Sequence, residues 1–169
     1  MTRLHQIQTE IQARTTSIEA SHPAWPCRKG CSDCCGHLAS EPLISEGEWH
    51  HVKAAIDALP VELATTIRHR IRESATQPRP VTCPLLNRDT GACQIYEARP
   101  LACRAYGFYA DRDKVLGCHR IESISNESPD IIWGNHRALE ANSLDPGTSK
   151  ELSAWVAQQS NISNPSSAS

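Results

Sequence analysis

Residues 27–37 read CRKGCSDCCGH, which places four thiols, Cys27, Cys31, Cys34 and Cys35, within nine residues and two of them side by side. Four chemistries could use such a stretch: a disulfide framework, a thiol redox pair, one apolar face of a helix, or a metal centre. Taken as a regular helix, the four positions i, i+4, i+7 and i+8 share an arc of about 100°, with Pro26 suited to a first helical position and Gly36 to a C-terminal one. Four small apolar side chains would then face a core, although Gly30 and Asp33 are poor helix formers. In that helix Cys27 and Cys34 are separated by roughly 10 Å of rise, too far to share one zinc ion with sulfur at about 2.3 Å. Either the chain bends at Gly30 or the centre is larger than one ion, and the adjacent Cys34 and Cys35 are then suited to different metals.

The rest of the chain narrows the choice. With 169 residues and eight cysteines, it is long enough to bury a core without covalent staples, though aromatics make up 5% and there is a single Phe. The first residues, MTRLHQIQTEIQARTT, contain no apolar signal segment. No run approaches the roughly 18 apolar residues of a membrane span. The expectation is a cytosolic protein whose thiols stay reduced, which disfavours four disulfides. Cys31-Ser-Asp-Cys34 has CxxC spacing, but no strand precedes it as a thioredoxin-type site requires. The net charge is −2 and the one basic run, RHRIR at 68–72, lies in an amphipathic helix, so neither nucleic acid nor membrane is expected as a partner.

Periodicity gives a mainly α fold: a small helical domain with irregular cysteine-bearing loops and at most a short β-hairpin. Leu4, Ile7, Ile11 and Ile18 mark a helix over residues 2–20, ended by HPAWP. Ser45 with Glu48 has the capping-box pattern for a helix over 46–59. Pro60 opens a third helix with Leu63, Ile67 and Ile71 on one face. CPLLNRDTGACQIY predicts two short extended pieces about an Asn-Arg-Asp-Thr-Gly turn, and EARPLACRAYG a short helix with Pro100 in its first turn. DIIWGNHRALEAN and SKELSAWVAQQ read as two more helices. Residues 1–160 form one metal-binding domain with its motif core at 27–118, and the polar stretch 161–169 reads as a disordered tail.

Cys83, Cys93, Cys103 and Cys118 are separated by nine, nine and fourteen residues. Ligands so dispersed are gathered only by the fold itself. Their surroundings, Cys83-Pro-Leu-Leu, Cys93-Gln-Ile-Tyr and Arg99-Pro-Leu-Ala-Cys103-Arg104, together with Cys27-x3-Cys31-x2-Cys34-Cys35, resemble the CxxCxxCC cysteine-cluster family, the YkgJ-like zinc- or iron-chelating domains. The resemblance covers roughly residues 27–107 and extends less firmly to Cys118 and His119. It implies metal or cluster binding; some relatives are similar to the flagellin lysine N-methylase, an activity with no identifiable substrate site here.

The eight cysteines are therefore the expected ligands of an iron–sulfur cluster or of zinc or iron ions. Arg99 and Arg104 beside Cys103 are read as cations that offset thiolate charge and donate N–H groups to sulfur. Arg28 and Lys29 read as surface residues, and Tyr96 and Tyr106 as core packing. His22, His37 and His119 lie near cysteines, but with so many thiols they read as bystanders. Two functions fit: a metal centre in electron transfer or in assistance to a protein-modifying partner, or a zinc-stabilised interaction module without catalysis. A radical S-adenosylmethionine enzyme is disfavoured, because Asp33 stands where an aromatic precedes the last motif cysteine and no barrel is present. No GxSxG, HExxH or phosphate loop supports a hydrolase.

Overall fold

The computed structural model describes residues 2–143 and 148–162, with side chains to residue 159. The fold is mainly helical with short β elements. Helix α1 (Arg3–Ser21) is capped by the Thr2 side chain and buries Ile7, Ile11 and Ile18, the spacing of its sequence pattern. After α2 (Asp33–Gly36) and β1 (Leu43–Ile44) comes α3 (Glu46–Asp57), where Ser45 and Glu48 form the full reciprocal capping box. Helix α4 (Val61–Ser74) starts after Pro60 and buries Ile67 and Ile71.

The turn expected in CPLLNRDTGACQIY is present. Leu86 and Cys93 form an antiparallel bridge, and the Asn87 side chain accepts from the amides of Asp89 and Thr90. A 3₁₀ turn at Tyr96–Ala98 and α5 (Leu101–Ala105), with Pro100 at its start, carry the chain into β2 (Tyr109–Asp111) and β3 (Lys114–Val115). Helix α6 (His119–Glu127), β4 (Gly134–Asn135), α7 (His136–Ser143), β5 (Lys150–Glu151) and α8 (Leu152–Ile162) follow. β1 pairs antiparallel with β5; β2 pairs antiparallel with β3 and parallel with β4. No helix among the described residues is long and apolar enough to cross a membrane. Of the tail expected at 161–169, residues 163–169 lie outside the described residues, and Asn161 and Ile162 form the last turn of α8.

Two local expectations change. Cys27–Cys35 is not one helix: only Asp33–Gly36 is helical, because Gly30 adopts φ +93°, a left-handed conformation that no regular helix contains. DIIWGNHRALEAN becomes helical only at His136. Gly134 instead extends as a strand beneath the Tyr109 ring, so close that a Cβ would lie 2.4 Å from it.

The apolar residues gather in two clusters. The first joins Ile44, Trp49, Val52, Ile56, Ile67 and Ile71 to Leu85, Ile95 and Trp155. The second joins Ile7, Ile11, Ile18 and Trp25 to Leu101, Phe108, Ile121 and Leu139. Their chain segments alternate, so the polypeptide crosses from one core to the other three times, through 26–43, through 96–100 and between Leu139 and Leu152. Two buried carboxylates secure these crossings. Glu48 accepts from Ser45 and, at 2.8 Å, from the amide of Leu101, thereby capping α5. Glu41 pairs with Arg79 at 3.0 Å and accepts from the amide of Ser153 at 2.7 Å, capping α8.

Candidate metal centre

The cysteines lie where the two cores meet. Cys83 and Cys93 pack against the first cluster, and Cys27 and Cys118 against the second. Cys27 leaves Trp25 and Pro26 in the first crossing. The bend at Gly30 brings Cys31 and then the α2 turn back toward it, with the Cys31 amide donating to the Arg28 carbonyl at 2.9 Å. Backbone bonds lace the two cysteine regions together: the Cys83 amide donates to the Cys35 carbonyl at 2.7 Å, and Leu38 and Val81 exchange both bonds of a bridge. Cys103 comes in on α5, held by Glu48, and Cys118 caps the start of α6.

All eight cysteines are free thiols. Cys34 and Cys35 diverge from neighbouring backbone positions, yet their Sγ atoms are 4.0 Å apart. Burial pushes the Cys27 thiol up to about 12, with Cys31, Cys118 and Cys34 adding repulsion. Burial likewise raises Cys103 to about 12, with Cys35, Cys93 and Cys34 as the repelling neighbours. The hydrogen bond with Cys34 pulls Cys35 down, but the bond with Cys83, burial and the Cys83 and Cys93 charges lift it to about 12. Cys34 is driven up first by its hydrogen bond with Cys35 and then by burial, and Cys93 rises through burial. The thiols are thus near enough to oppose one another's ionisation. A bound cation is the ordinary chemical relief for such a set, since it takes thiolates as ligands and releases their protons. Among the described residues no three Cys, His, Asp or Glu side chains already converge as an ion-holding group. The donor set fits a thiophilic metal in type and number, and coordination requires the sulfurs to close in further.

Gly107 shows how tightly the site is packed. Its φ is +87°, and a Cβ there would meet the Cys27 Sγ at 2.4 Å. Asp33, absent from the sequence-derived site, lies 4.0 Å from the Cys118 Sγ and pairs with Arg120 at 3.2 Å, tying α2 to the start of α6. Both are polar residues whose significance depends on a contact more than 80 positions away, so only an acidic residue between motif cysteines hinted at it.

The arginines differ in detail from the expectation. Arg99 lies flat on Tyr96, 3.6 Å from the ring centroid, and its Nε donates to the Tyr96 carbonyl at 3.0 Å. Arg104 donates through Nε to the Arg99 carbonyl at 2.9 Å and through Nη2 to the Glu97 carbonyl. These N–H groups go to carbonyls, while the Arg99 charge favours the thiolates of Cys93 and Cys103. Tyr96 is thus a platform for cations, with Lys29 5.4 Å from its ring centroid. His37 and His119 are exposed, and His22 turns its ring edge-on to Trp25 with Nδ1 3.3 Å from the Ile18 carbonyl.

A cavity of about 280 Å³ opens over the cysteines, with Cys27, Cys31, Cys34 and Cys103 in its wall. Cys103 keeps exposed surface and lines this cavity, although burial raises its thiol.

Comparison with known proteins gives one family. The model of CxxCxxCC, "Putative zinc- or iron-chelating domain", matches residues 26–124, more than half of the chain. No curated protein and no solved structure matches.

Proposed function

The chain belongs to the CxxCxxCC family of zinc- or iron-chelating domains, and from that premise we propose that its eight cysteines hold metal in two adjoining four-thiol sets. Cys27, Cys31, Cys34 and Cys118 form one set beside the second core; Cys35, Cys83, Cys93 and Cys103 form the other beside the first. The division is supported by the packing of Cys83 and Cys93 on the first core and of Cys27 and Cys118 on the second, and by the thiols that repel Cys27 most, Cys31 and Cys118, and Cys103 most, Cys35 and Cys93. Thiolates select zinc, iron or an iron–sulfur cluster over hard cations. Arg99 offsets the negative charge that such a centre carries.

The role we infer is that of an iron-bearing electron carrier, or of an iron centre that assists a protein-modifying enzyme. One observation carries it: Cys103 keeps exposed surface and lines the cavity. A centre whose only task is to hold the fold is ordinarily closed, whereas one that exchanges electrons benefits from an approach to its sulfur. The second reading, a zinc-stabilised interaction module, is favoured by the position of the thiols between two cores, where a metal would join them.

Visible absorption with elemental and acid-labile sulfide analysis, on protein purified without oxygen, separates the two. Bound iron with a reversible change of colour on reduction supports the electron-transfer reading. Colourless protein with stoichiometric zinc overturns it in favour of the structural module, and protein that binds neither metal overturns both.

A further inference from the structure

We propose, resting on the metal-binding reading above, that the cavity over the thiols is a binding site for a small molecule bearing a carboxylate or phosphate group. Four cations line it, Arg28, Lys29, Arg99 and Arg104, against the carboxylates of Glu19 and Glu97. None of the four cations takes part in any ion pair among the described residues; the pairs that exist use Lys53, Arg68, Arg79, Arg120, Arg137 and two histidines.

Two of these cations are fixed in place and partly buried. Arg99 is pinned on the Tyr96 face and Arg104 is tied to two carbonyls, one of them that of Arg99 itself. Holding two guanidinium groups together in this way is unfavourable without an anion, because their like charges repel. The Nη groups of Arg99 make no hydrogen bond among the described residues, which leaves the planar fork that grips carboxylate and phosphate in pairs.

A thiolate centre would use part of this charge, since Arg99 acts on Cys93 and Cys103. Arg28 and Lys29 are exposed and take part in no ion pair among the described residues, so their charge is available to an anion. The volume, just under the usual range of small-molecule pockets, suits a compact anion rather than a folded partner.

The test is calorimetric titration of the metal-loaded full chain with inorganic phosphate and with sulfate at low ionic strength, with metal content measured on every sample. Saturable 1:1 binding, weakened at least about tenfold in Arg99→Gln and measurably in Lys29→Gln, supports the site. Lys29 is exposed, so Lys29→Gln decides the matter even where Arg99→Gln disturbs folding or metal. Absence of saturable binding to the native chain overturns the proposal, as does binding that neither variant alters. Saturable binding of an acidic peptide such as oligoglutamate, with none of phosphate or sulfate, overturns it in favour of a protein surface. A native chain that purifies without metal defeats the metal reading alone, because the same titration still reports on the cavity.

Discussion

The amide of Cys83 donates to the carbonyl of Cys35 across 2.7 Å, so two cysteines 48 positions apart are joined by backbone before any metal contributes. The neighbouring Leu38–Val81 bridge extends this short ribbon. Preorganisation of this kind lowers the conformational cost of bringing ligands together, and it holds Cys35 beside Cys83.

The division into two thiol sets is checked by removing one member of each. Cys83→Ser and Cys118→Ser should each lose about half of the bound metal while retaining the other half, and the double variant should lose nearly all of it. Elemental analysis per folded chain reads the result. Full metal content in either single variant removes that cysteine from the ligand set.

Glu48 accepts three hydrogen bonds, two from Ser45 at the start of α3 and one from the amide of Leu101, which ties α3 to the helix that carries Cys103. Glu48→Ala leaves buried donors without a partner and should lower stability by about 2–4 kcal/mol. Urea unfolding measures this, and Glu48→Gln, which keeps an acceptor, should recover part of it.

Gly107 combines a left-handed backbone with contact against the Cys27 sulfur. Gly107→Ala should cost about 1–3 kcal/mol in backbone strain alone and should displace Cys27, reducing metal in the set that contains it while leaving the other. Equal loss from both sets would show a general unfolding effect instead.

Stability should respond to pH in opposite senses with and without metal. Burial raises Cys27 and Cys103 to about 12, and the balance of its hydrogen bonds and burial raises Cys35 to the same value, against an ordinary 9.0. In metal-free protein the folded state holds these protons more tightly than the unfolded state. That stabilisation is fully present below about 9 and is lost as pH rises toward 12. In loaded protein the sulfurs are already thiolates, so acid competes with the metal and the melting temperature falls on acidification. Melting curves of both forms between pH 5 and about 11 test the crossing trends.

Legibility in the sequence followed the range of the interaction. Ser45 and Glu48 announced a helix start because a capping box is complete within four residues, and Ile67 and Ile71 marked the buried face of α4 because helical periodicity is local. α6 escaped notice because Ile121 and Ile124 are too few apolar positions to show a period. The stretch at 130–135 imitated a helix, since nothing nearby reveals that Gly134 must lie under Tyr109. The eight cysteines stood out as a candidate ligand set by their number and context. What they share with Asp33, Glu48 and Gly107 was not, because those residues act on partners 53 to 87 positions away.

The alternation of chain segments between the two cores has a consequence for synthesis. Helix α1 and Trp25 have no complete partner surface until residues 101–139 exist, and the first core waits for Leu152, Trp155 and Val156. Neither half can finish folding on a nascent chain as an independent block. At roughly 5–20 residues per second, Cys35 leaves the peptidyl-transferase centre about 4–17 s before Cys118 is added. During that interval the vicinal thiols of Cys34 and Cys35 are reduced, unprotected and open to oxidants and to the wrong metal. The protein therefore depends on its surroundings for the chemical safety of its cysteines until the chain has folded.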